Sequence, residues 1–110
     1  MSRIGSVKIG AHRYRVLYRK DIANSDNFTR AGQCDYMATE ISVSTHTPNG
    51  KTRSPSQVGE TIIHEIVHAV GNDRHLDLSE HEVDQLGAGL HAAIVDNPKL
   101  FGTHFIEQWK

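Results

Sequence analysis

The chain has 110 residues, 37% of them hydrophobic and 23% charged, which is the size and balance of one domain with one modest core. Twelve Lys and Arg against 13 Asp and Glu leave a net charge of −1 with His neutral. That balance gives no reason to expect nucleic acid or a membrane surface as a partner, although the run from His12 to Lys20 is locally basic.

The one cysteine, Cys34, cannot close an internal disulfide, so a reducing compartment is expected. No stretch reads as a signal peptide or is long enough to span a bilayer, so the expectation is a cytoplasmic protein. Eight His residues are the unusual count, and chemistry is sought among them.

Val7, Ile9, Tyr14, Val16 and Tyr18 alternate with period two around Gly10, which predicts an antiparallel hairpin. Residues 21–29 are polar and irregular, with room for a short helical turn. Gly32 to Ile41 reads as one or two short strands, continued by Val43 and Thr45. The segment Thr47-Pro48-Asn49-Gly50-Lys51 is turn chemistry. A helix then starts with Ser54 as N-cap, Pro55 in the first position and Gln57 completing a capping box. Ile62, Ile63, Ile66, Val67 and Val70 form its apolar face, and Gly71 is its expected stop. A second helix is predicted from about Ser79 to Asp96, with Val83, Leu86, Leu90 and Ile94 toward the core. Asn97-Pro98 ends it, and Leu100, Phe101, Phe105, Ile106 and Trp109 form an apolar tail expected to fold back. The fold class is α+β: a small antiparallel sheet followed by two packed helices, in a single domain spanning 1–110.

The first helix carries His64-Glu65-Ile66-Val67-His68. Imidazoles four residues apart project from one face, one turn apart, and two nitrogens so placed can reach a single tetrahedral Zn²⁺. At 100° per residue Glu65 falls just beyond His68, away from the apolar face, where it can take a proton from a water and later return it. The expected cofactor is therefore Zn²⁺, held by His64 and His68, with Glu65 catalytic.

This motif, followed by Leu78-Ser79-Glu80 and a second helix with acidic residues, resembles a minimal gluzincin. It is similar to small phage- or prophage-encoded zinc peptidases, distantly related to the ImmA/IrrE metallopeptidases. The resemblance runs from the first strands to Asn97-Pro98, and only the five-residue motif in it is highly specific. It implies a minimal zincin-like fold, a protein or peptide substrate, a host-cell cytoplasm if the gene is a phage's, and a third zinc ligand that is a glutamate on the second helix. By that pattern Glu80 is the first candidate, with Asp84 one turn on orienting a ligating imidazole and Gly87 on the same stripe letting the helices approach. Glu82 is the second, although Ser79-Glu80-His81-Glu82 reads as a capping box that would occupy it. Asp77-Leu78-Ser79-Glu80 is a competing capping box.

His75 and His91 are the remaining ligand candidates. Gly71 and Asp73 match part of the pattern of a zinc-dependent ribosomal RNA maturation endonuclease of the YbeY type, but Arg74 intrudes and Glu65 stands where that family has glycine. His91 lies on the Glu80/Asp84/Gly87 stripe as a substrate-facing or a surface residue. His12, His46, His81 and His104 are read as solvated, and Cys34 as a small core residue. The reading is a zinc peptidase with an extended substrate paired to a strand near Ile41 to Thr45, by analogy with zincins. Its rivals are the nuclease and a catalytically silent zinc-binding regulatory domain.

Overall fold

The computed structural model describes residues 2–20 and 31–102. Strands β1 (Ser2–Ile9) and β2 (His12–Arg19) form the expected hairpin, with Val7 opposite Tyr14 and Ile9 opposite His12. Gly10 opens the two-residue loop at a φ of +60° and Ala11 keeps a negative one, a combination that a II′-type turn reserves for glycine in the first place. Strand β3 (Gly32–Asp35) follows, and the Asp35 carboxylate then accepts from the amides of Met37 and Ala38, turning the chain into β4 (Glu40–Ser44).

The strand order is β1-β2-β4-β3, and β4 runs parallel to β2 while pairing antiparallel with β3. The sheet is therefore mixed, not antiparallel throughout. The chain leaves β2 and returns one place further over, so β4 enters beside β2 in the same direction. Residues 21–30, on which the helical-turn expectation falls, lie outside the described residues. Tyr14, Val16, Ile41 and Val43 build the core on one sheet face, and the fully buried Ile41 and Val43 each contribute about 1.5–3 kcal/mol. Tyr18, at the end of the alternation, stays 36% exposed.

Helix α1 (Pro55–Asp73) covers that face. Ser54 Oγ accepts from the Gln57 amide and Gln57 Oε1 accepts from the Ser54 amide, so the capping box forms as read. Val58, Ile62, Ile66 and Ala69 meet the sheet, whereas Val70 is exposed. Gly71 does not stop the helix. The chain continues to Asp73 and closes in a Schellman motif, with Leu76 N–H on Gly71 O at 2.9 Å and His75 in the left-handed region at a φ of +57°. Gly71 instead makes room for the link, since a Cβ there would meet Leu78 Cδ1 at 3.3 Å.

Helix α2 (Glu80–Asp96) is capped by the box of Ser79 and Glu82 and packs on α1 without touching a strand among the described residues. Among the described residues it packs on α1 and, at its end, on α3, and it buries the narrow Val83/Gly87 stripe. Leu86 and Leu90, read as core, remain 46% and 49% exposed. A short α3 (Pro98–Phe101) follows, with Leu100 and Phe101 exposed. The rest of the apolar tail, Phe105, Ile106 and Trp109, lies outside the described residues, as does His104. No helix among the described residues is long and apolar enough to cross a membrane.

Candidate metal centre

The capping box at Ser79 fixes where α2 begins, and so puts Glu80 in its first position, facing the ligand stripe of α1. Gly87 two turns on lets the two helices close. A Cβ at that position would lie 3.2 Å from His64 Cα. The imidazoles of His64 and His68 stand edge to face with centroids 4.9 Å apart. One Glu80 carboxylate bridges them, Oε1 lying 3.0 Å from His64 Nε2 and Oε2 3.2 Å from His68 Nε2. Asp84 Oδ1 lies 3.1 Å from His64 Nδ1.

Both nitrogens of His64 thus face carboxylate oxygens. A neutral imidazole has one N–H to give. If Nδ1 donates to Asp84, Nε2 presents a lone pair on the Glu80 side, where a metal ion could be held. Two ligand atoms each about 2.0–2.1 Å from a tetrahedral ion stand about 3.3 Å apart, close to the separations found. His64, His68 and Glu80 are the group among the described residues that could hold a metal ion, their ligand atoms all within 4.8 Å of one another. The outer contact from Asp84 to Nδ1 is the one that fixes a ligating histidine's tautomer and ring orientation.

The other candidates have other uses. Glu82 Oε1 accepts from the Ser79 amide at 2.8 Å, and that backbone bond, ahead of the Ser79 side chain, holds its carboxyl below the ordinary value. His75 serves as the left-handed residue that closes α1. His91 lies against Gly59, where a Cβ would meet its Nε2 at 3.1 Å, and does not line the cleft. His46 is half-buried with Nδ1 2.8 Å from Thr45 Oγ1, so it is not simply solvated. His12 and His81 are exposed as read.

A cleft of about 750 Å³ runs along α1 between β3 and α2, with His64, Glu65, His68, Glu80 and Asp84 on its walls. Glu65 is 6% exposed. The reading that turned it away from the apolar face needs correction, because it borders the Val58/Ile62/Ala69 stripe and lies under β3. Gly32 permits this: a Cβ there would stand 3.0 Å from Glu65 Oε2 and 2.6 Å from Thr61 Cγ2. Cys34, on the same strand face, packs against the core as expected. Burial, then the charges of Glu65 and Asp35, pushes its thiol up to about 12, so it stays protonated.

Tyr36, Thr61 and Arg53 are among the cleft residues that the sequence reading did not single out. Tyr36 gives its hydroxyl to His68 O at 3.4 Å, and burial raises its pKa, keeping it a donor. Thr61 and Arg53 form the floor near the start of α1. The Thr61 position, three residues ahead of His64 on a strong helix, was the only local signal for any of them. No protein-family model, curated protein or solved structure matches this chain.

Proposed function

We propose that this chain is a zinc-dependent peptidase of minimal zincin type. The observation that carries the reading is the convergence of two Nε2 atoms one helical turn apart on a single carboxylate, with Asp84 on the far nitrogen of His64. Two imidazoles and one carboxylate suit Zn²⁺ better than the oxygen-seeking Mg²⁺ or Ca²⁺. His64, His68 and Glu80 would hold the ion, which when bound supplies a Lewis acid that polarises a carbonyl and lowers the pKa of a water toward about 7.

The remaining work belongs to the chain. Glu65, on the cleft wall beside His68, takes a proton from the attacking water as its oxygen bonds to the scissile carbonyl carbon. As the C–N bond breaks, Glu65 returns the proton to the leaving amine. Asp84 holds His64 in the tautomer that leaves Nε2 free for the ion. An extended substrate would pair with β3, since β4 lies inside the sheet between β2 and β3 and has no free edge for the pairing expected near Ile41 to Thr45.

Two observations favour this reading over the nuclease. His75 is not in the group of ligand atoms formed by His64, His68 and Glu80, and among the described residues no basic residue of the β1–β2 hairpin lines the cleft. The buried Glu65, which a silent metal-binding domain has no need of, favours it over the regulatory alternative. Metal-stripped and zinc-reloaded protein should be offered a peptide library and, separately, structured and single-stranded RNA. Zinc-dependent peptide cleavage with RNA left intact is the expected result. RNA cleavage without peptide cleavage would replace the reading with the nuclease, and no cleavage of either would leave the regulatory domain.

A further inference from the structure

Arg53, in the link before α1, uses all four terminal N–H groups on acceptors from different parts of the fold. Nη1 donates to Ala31 O at 3.2 Å and Ser44 O at 2.7 Å, and Nη2 to Gln57 O at 3.2 Å and Thr61 Oγ1 at 2.6 Å. Ser44 and Gln57 are the bonds needed to tie the sheet to the start of the helix. The other two fall on residues next to those that border Glu65. Ala31 immediately precedes Gly32, whose missing Cβ leaves space for the Glu65 carboxylate, and Thr61 is one turn before Glu65 and also touches Gly32. Thr61 cannot turn away, because its hydroxyl is itself bonded back to Gln57 O at 3.0 Å.

We propose that Arg53 is a positioning residue: it seats edge strand β3 on α1 and thereby holds the Glu65 carboxylate at the cleft wall. The proposal rests on the peptidase reading for the role of Glu65, but the seating of β3 does not. One planar guanidinium reaches four acceptors at fixed angles. A lysine in its place keeps the charge, offers three hydrogens from a single point, and cannot span from Ala31 to Thr61.

Two variants test it, Arg53→Lys and Thr61→Val, the second keeping Arg53 and the side-chain shape while removing the hydroxyl that accepts from Arg53 and donates to Gln57 O. The first readout needs no activity: the alkylation rate of Cys34, the chain's one cysteine, which lies on β3 two residues from Gly32 on the same strand face. A charge-assisted hydrogen bond lost from the clamp should speed alkylation about tenfold or more. The second readout is kinetic. Small displacements of a base cost up to about 100-fold in rate, so kcat should fall with KM and zinc content unchanged. The double variant should be no worse than the worse single one, because both act through one contact. Unchanged Cys34 reactivity in both variants, or kcat losses that multiply, would overturn the clamp. A wild-type protein that cleaves no peptide would overturn the proposed function, while the Cys34 rates would still decide the seating of β3.

Discussion

Gly87→Ala tests whether the approach of the two helices sets the metal site. The added Cβ would stand 3.2 Å from His64 Cα and 3.5 Å from His64 Cβ, where ordinary contact begins at 3.4 Å. The obstacle is helix backbone, which cannot give way without breaking its own hydrogen bonds, so α2 must move off by a few tenths of an ångström. Overpacking of this kind costs about 1–3 kcal/mol. Alanine recovers about 0.8–1.0 kcal/mol over glycine inside a helix. The net loss of stability should therefore be small, from about zero to 2 kcal/mol. Zinc binding should suffer more, because Glu80 rides on α2 and its two oxygens sit 3.0 and 3.2 Å from the two imidazoles. Misoriented ligands typically lose about 10–100-fold in metal affinity. Thermal melts in chelator measure the first quantity and competition against a fluorescent zinc chelator the second. Wild-type affinity in Gly87→Ala, and again in the bulkier Gly87→Val, would refute the argument that this contact places Glu80.

Glu80→Ala should abolish tight zinc binding, whereas Glu82→Ala should leave it intact and only weaken the start of α2; calorimetric zinc titration of both separates ligand from cap. The Glu82 carboxyl is held below its ordinary value of 4.5, so its stabilising part is present above that pH and disappears as pH falls through the lowered value. The stability difference between wild type and Glu82→Ala, followed by melting from neutral pH into acid, should accordingly narrow; a constant difference would mean the charge is irrelevant to the cap. Glu65→Gln should keep the fold and the zinc and lose about 10²–10⁴-fold in kcat for peptide hydrolysis, and full activity with zinc in place would mean that another group moves the proton.

The features legible in the sequence are those written in adjacent residues. Both capping boxes could be read from Ser54 to Gln57 and from Ser79 to Glu82, and the Ser79 box already separates Glu82 from Glu80 once its geometry is in view. The hairpin around Gly10 and the spacing of His64 and His68 are equally local. What escaped depends on contacts between distant segments. Parallel pairing of β4 with β2 follows from where the chain returns, which alternation along one strand does not specify. Leu86 and Leu90 have the period of a core face, but among the described residues α2 meets no strand and packs mainly on α1, which buries the stripe through Val83 and Gly87 in their place. Glu65 reads as turned away from the apolar face because the strand above it begins with Gly32, a residue whose absent side chain is visible only when β3 is laid on α1. Arg53 matters through acceptors as far away as Ala31 and Ser44, and nothing near it in sequence announces them.

The most direct test of the metal site is the zinc content of the purified chain. Protein prepared without added metal, then offered one equivalent of zinc and dialysed, should carry one ion per chain by elemental analysis, and His64→Ala and Glu80→Ala prepared alongside should carry none. A wild-type stoichiometry that stays near zero after zinc is offered, or full occupancy in both variants, would contradict a site built from His64, His68 and Glu80.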